Sequence, residues 1–154
     1  MEDKKYFSRQ IDESLMAWKN STRHKPLLLR GARQVGKSSS VRHLAKQFDN
    51  FVEINFERKP AYLEIFKGDR DAKHIVEMIK SITGEPIVPG KTLLFFDEIQ
   101  MCQEAISSLR FFWEDMPELH VIAAGSLLEF ALSEIPTFGV GRIHLCIPCH
   151  SMNF

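Results

Sequence analysis

Apolar residues recur along this chain in two rhythms, one helical and one of short continuous or alternating runs. Ile11, Leu15 and Trp18 return at helical spacing after Ser8, which predicts an amphipathic helix over residues 8–20. Pro26 then punctuates the approach to Leu27, Leu28 and Leu29, a buried strand in miniature. Val41, Leu44, Ala45 and Phe48 stand at i, i+3, i+4 and i+7, so the next helix starts near Lys37 and reaches Phe48. Val52, Ile54 and Phe56 alternate with polar neighbours and predict a second strand that Pro60 ends.

The alternation continues downstream. Ala72, Ile75, Val76, Ile79 and Ile82 mark a helix closed by Gly84, with Pro86 beyond it. Thr92 to Asp97 is an apolar run ending in a carboxylate, the pattern of a central parallel strand covered on both faces. Ile106, Leu109, Trp113 and Met116 give another helix, which Pro117 halts before a strand from His120 to Ala124. Gly125-Ser126 opens a turn, a short helix runs from Leu127 to Ser133, and Ile143 to Ile147 supplies a last apolar segment. Five strands alternating with helices imply right-handed crossovers and a three-layer α/β fold on a parallel sheet.

The 154 residues suit one domain: 44% are apolar and 26% charged, which excludes disorder and a disulfide mini-scaffold. Within it, residues 8–24 form an N-terminal helix and approach, 25–147 the core and 148–154 a tail. Twenty basic residues balance twenty acidic ones, but residues 1–50 hold 11 Lys/Arg against 5 Asp/Glu and the remainder 9 against 15. That asymmetry fits an anionic ligand near the first third as well as it fits solvated helix faces. The basic first third could meet nucleic acid, but no helix carries a basic stripe interleaved with aromatics, so that partner is left open without support, and oligomerisation is open too. With no signal segment and no apolar run long enough to span a bilayer, the expected location is cytoplasmic without a membrane partner, and Cys102, Cys146 and Cys149 are expected as free thiols.

Two motifs carry chemistry. Gly31-Ala32-Arg33-Gln34-Val35-Gly36-Lys37-Ser38 fits the phosphate-loop pattern and lies between a predicted strand and a predicted helix. Its glycines let backbone N–H groups surround phosphate oxygens, Lys37 reaches the β- and γ-phosphates, and Ser38 offers a hydroxyl to Mg²⁺, with Ser39 next in the cradle. Asp97, at the tip of a buried parallel strand, is placed in the crevice where open α/β sheets bind ligands and is the second Mg²⁺ partner. Glu98 follows as the group that orients and deprotonates an attacking water.

These residues resemble the AAA-type P-loop ATPases, and within them the bacterial and archaeal ATP-binding proteins that carry a C-terminal domain of unknown function. Leu29 to Ser38, Ile54-Asn55-Phe56-Glu57, Asp97-Glu98-Ile99-Gln100, Ala124 to Phe130 and Gly139-Val140-Gly141-Arg142 carry the likeness. It implies a P-loop fold with a five-stranded sheet of order 5-1-4-3-2, ATP with Mg²⁺ as ligands, and Mg²⁺-dependent hydrolysis. It also implies a sensor role for Ser126, which is equally suited to capping the helix after it, and a phosphate contact for Arg142 as an arginine finger. No guanine-reading segment appears, so ATP is preferred to GTP. The non-enzymatic alternative is a truncated, inactive nucleotide-binding fragment.

The tail admits other readings. Cys146-Ile147-Pro148-Cys149-His150 matches a haem-attachment pattern and suggests a metal or redox role, yet it lacks the export signal, fourth ligand or helix start that each role needs. A coding string whose first frame spells Tyr-Pro-Met-Ser-Phe-Asn-Glu-Phe, the kind of segment with which the resembling family continues, spells Ile147 to Phe154 when read one base later. The expectation is therefore a frameshifted tail on a shortened ATPase.

Overall fold

The computed structural model describes residues 2–30, 36–68, 71–126 and 144–145. In chain order these form α1 (Glu2–Asn20), β1 (Leu27–Arg30), α2 (Lys37–Ala45), β2 (Asn50–Asn55), a 3₁₀ turn (Pro60–Phe66), α3 (Ala72–Thr83), β3 (Thr92–Asp97), a second 3₁₀ turn (Ile99–Met101), α4 (Gln103–Asp115), β4 (His120–Gly125) and β5 (His144–Leu145). Strands β1, β4, β3 and β2 lie side by side in that order, all parallel, as expected for an α/β protein. The dipeptide β5 pairs in parallel with the free side of β1, Leu27 opposite His144 and Leu28 opposite Leu145.

The period-2 geometry of the strands sorts their side chains into two cores. Leu27, Leu29, Leu93, Phe95, Ile122 and Ala124 point to one face, where Ile11, Leu15 and Trp18 of α1 and Val41 and Leu44 of α2 cover them. Leu28, Leu94, Phe96, Val121 and Ala123 point to the other and meet Ile75, Val76 and Ile79 of α3 and Ile106, Leu109 and Phe112 of α4. Every residue of β3 and β4 is buried, which is why these strands read as continuous apolar runs. β2 lies at the sheet edge, and only Val52 and Ile54 of it are fully enclosed.

Several boundaries differ from the periodic pattern. Helix α1 begins at Glu2, ahead of the expected Ser8, and α2 stops at Ala45, with Gln47 and Phe48 held by turn bonds to Leu44 and Ala45. β2 ends at Asn55, short of Pro60. Pro60 begins the first 3₁₀ turn, where its missing N–H costs nothing, and the turn buries Ile65 and Phe66. The Phe66 ring lies 5.4 Å from Phe96 and 5.5 Å from Phe56, so aromatic packing rather than periodicity made this element. In α4 the core position is Phe112, and Trp113 is half-buried beneath the Lys25 ammonium. Ile82, assigned to the apolar face of α3, is exposed in its last turn. Gly84 ends α3 in the left-handed conformation, donating to the Lys80 carbonyl, as its sequence position indicated. The expected helix over 127–133 lies outside the described residues.

Candidate functional site

Strand register sets the site. Leu29 pairs with Ala124, and Phe96 pairs with Ala123, so Asp97 falls in the next row, level with Ala124 and with the end of β1. The carboxyl ends of β1, β3 and β4 therefore finish along one edge of the sheet, where a ligand meets chain ends rather than strand faces.

Helix α2 starts at that edge. Gly36 takes φ 88°, a left-handed turn that a side chain would strain, and its carbonyl receives the Ser40 N–H as the helix begins. Lys37 is buried to 8% exposure, Ser38 is half-buried, Ser39 is exposed and Ser40 is buried. No acidic residue occupies the first turn of α2, so no carboxylate of that turn offsets the positive end of the helix dipole where an anion would meet it. Gly31, Ala32, Arg33, Gln34 and Val35 lie outside the described residues, as do Arg142, Cys146, Cys149 and His150.

Ser38 and Asp97 are brought together across 59 positions of sequence: the Ser38 hydroxyl donates to Asp97 Oδ2 at 2.7 Å. Asp97 Oδ1 accepts the Glu98 N–H at 2.9 Å. Burial lifts the Asp97 carboxyl above the usual carboxylate range, and these two hydrogen bonds offset only part of that. The hydroxyl and carboxylate oxygens together are a hard donor set of the kind magnesium takes alongside phosphate and water. Beside them, Arg42 of α2 makes a bidentate pair with Glu53 of β2, Nε to Oε1 at 3.0 Å and Nη2 to Oε2 at 2.7 Å, tying the helix to the edge strand.

Glu98 turns away from the strand with φ 54° and ψ 45°, the one non-glycine residue at positive φ among those described. Such a conformation costs on the order of 1–3 kcal/mol and persists only where neighbours fix it. The second 3₁₀ turn follows at once, and Gln100 Nε2 donates to Glu98 Oε1 at 2.8 Å. The other end of the same amide, Oε1, accepts the N–H of buried Ser126 at 3.3 Å. Gly125 leaves the space for it, since a Cβ there would collide with Gln100 Oε1.

Of the residues singled out in the sequence, the fold gathers Lys37, Ser38, Asp97, Glu98 and Ser126 at one edge, while Ser39 faces solvent. Cys102, the one described cysteine, is buried in the α3–α4 core with its thiol pushed up to about 11 by burial, which suits packing rather than redox work. Among the described residues no group of three His, Cys, Asp or Glu is disposed to hold a metal, and no helix is long and apolar enough to cross a membrane. Neither Gln100 nor the Arg42–Glu53 pair is given a role by the sequence, although Gln100 closes the Asp97-Glu98-Ile99-Gln100 segment that carries the family likeness.

The family model described as AAA domain matches residues 23–154, which takes in every element from β1 onward and all of the edge just described. No curated protein matches the sequence. The chain therefore belongs to the AAA domain family, which makes it an ATPase-like nucleotide-binding domain.

Proposed function

We propose that the chain binds ATP with Mg²⁺ and hydrolyses its terminal phosphoanhydride bond. The observation that carries this reading is the Ser38–Asp97 hydrogen bond, because it joins the residue after the phosphate-loop lysine to the carboxylate of the strand tip. Gly31 to Gly36 would wrap the phosphates with backbone N–H groups, and the buried Lys37 would meet the β- and γ-phosphates. Ser38 and Asp97 would hold the magnesium ion, whose contribution when bound is to neutralise charge on the β- and γ-oxygens.

Glu98 stands one residue beyond Asp97 and would orient water and take its proton as the oxygen attacks phosphorus. Ser126, at the end of β4, would read the γ-phosphate position, and Arg142 would add a cationic phosphate contact from this chain or a neighbouring one. The pairing of His144–Leu145 with β1 supports a full sheet of order 5-1-4-3-2.

Phosphate release by the full chain with ATP and Mg²⁺, measured against Lys37→Ala, tests the reading. Release in the wild type alone supports hydrolysis at this site. Nucleotide binding without release above the Lys37→Ala level would replace it with the inactive binding fragment.

A further inference from the structure

We infer that Gln100 is a positioning residue of this site: one side-chain amide couples the orientation of the Glu98 carboxylate to the β4 turn at Gly125–Ser126. The inference rests on the hydrolytic reading above and adds to it a residue through which the water-activating group is held.

Three observations converge on the amide. A carboxylate only accepts and a backbone N–H only donates, so Glu98 Oε1 on one side and the Ser126 N–H on the other fix which end of Gln100 faces which partner. An ionised carboxylate, which only accepts, or an apolar side chain of that length could not serve both partners as Gln does. Glu98, in its left-handed backbone conformation, is lifted off the line of β3, so its side chain depends on an external partner for direction. The absence of a side chain at Gly125 is the third: the space a Cβ would fill is taken by Gln100 Oε1, with Gln100 N and Ile99 Cγ2 each 3.4 Å away. Gly125 has no positive φ to explain it, so the close approach of Gln100 accounts for glycine at this position.

The consequence is mechanical. Movement of the Ser126 peptide shifts Gln100 Oε1, and the same rigid amide plane transmits the shift to Glu98 Oε1. A carboxylate displaced by about 1 Å from its working position loses up to about a hundredfold in rate without losing nucleotide contacts.

The test is steady-state ATP hydrolysis with Mg²⁺ on the full chain for the wild type, Gln100→Ala, Gln100→Glu, Gly125→Ala and the Gln100→Ala/Gly125→Ala double variant. Thermal melting with and without ATP is recorded for each. Expected is a kcat lowered about ten- to hundredfold in both Gln100 variants, with KM and the ATP-induced shift in Tm within about twofold of wild type. Gly125→Ala should lower kcat by itself and add nothing in the Gln100→Ala background, because the group it displaces is already gone. Unchanged kcat in Gln100→Ala, a rise in KM at constant kcat, or multiplying effects of the two substitutions would overturn the inference while leaving the hydrolytic reading intact. A wild-type chain without phosphate release would overturn that reading and the inference together. If Gln100→Ala fails to fold, Gln100→Glu, of the same length, and Gly125→Ala decide the matter.

Discussion

The imidazoles of His24 and His120 stack face to face, centroids 3.7 Å apart and 8° from parallel, although they lie ninety-six positions apart in the chain. Trp18 meets both rings edge-on and Phe48 closes on His120. His120 Nε2 donates to the Lys19 carbonyl at 3.0 Å and His24 Nδ1 to the Ser21 carbonyl at 3.3 Å, so the remaining nitrogens, His120 Nδ1 and His24 Nε2, are buried acceptors with no hydrogen-bond partner among the described residues. A second proton on the His120 ring has no acceptor to meet among the described residues. Burial accordingly lowers the pKa of His120 from 6.5 to about 4, with a smaller push in the same direction from His24.

The sign of the pH effect follows. The unfolded chain takes up the His120 proton near pH 6.5, and the folded chain only near pH 4, so stability is fully present above 6.5 and falls as pH drops through this window. The span corresponds to on the order of 3 kcal/mol. Thermal melts between pH 7 and pH 4 should show the decline, and His120→Phe should flatten it while costing about 1 kcal/mol at neutral pH for the lost bond to Lys19. An equally steep decline in His120→Phe would assign the effect to other groups.

Lys37→Ala should separate binding from folding. Lys37 is buried at the start of α2, and its loss removes the charge proposed to meet the phosphates. ATP with Mg²⁺ at a hundredfold its dissociation constant should stabilise the wild type by about 2.7 kcal/mol. That shift should vanish in Lys37→Ala, read by differential scanning fluorimetry, and its persistence would move the nucleotide elsewhere.

The layers and the sheet edge were legible because their cause is local. Period-2 and period-3.6 patterns record which face each side chain buries, so Leu93–Phe96 and Ile75–Ile79 carried their own assignments. The Pro60–Phe66 turn was not legible, because its stability comes from Phe56 and Phe96, which its own residues do not announce. The choice of Phe112 over Trp113 was hidden for a related reason: adjacent aromatics both suit a helix, and only the facing Phe96 ring, 5.9 Å away, selects one. Asp97 and Ser38 were visible through their motifs; Gln100 stood in the same segment as Asp97, but its contact with Ser126 appeared only when β4 placed that residue against it.

Glu98→Gln keeps the side-chain length and removes the carboxylate proposed to act as base. The oxygen of the new amide would still accept from Gln100 Nε2, so the turn and its left-handed backbone should survive. The ATP-induced melting shift should remain near the wild-type value while phosphate release falls by about 10²–10⁴. Loss of both together would show that Glu98 is needed for binding or folding and would remove it from the water-activating role.

Asp97→Asn should move stability and function in opposite directions. The ionised Asp97 carboxylate is buried, and burial holds its pKa up, so keeping it charged at neutral pH costs folding free energy. An amide of the same shape removes that cost and keeps the local bonds: its oxygen accepts the Glu98 N–H, and its NH₂ donates to the Ser38 hydroxyl, which rotates to receive it. Without nucleotide the variant should be as stable as wild type or more so, by up to about 1 kcal/mol, since neutral hydrogen bonds replace charged ones at little net loss. The negative charge is what a divalent cation requires, so the additional stabilisation by ATP when Mg²⁺ is present, over ATP with a chelator, should disappear. Melts under the four conditions, with and without ATP and with Mg²⁺ or chelator, check both halves. A destabilised apo variant would mean that the Asp97 charge is structural, and a retained Mg²⁺ increment would place the cation on other oxygens.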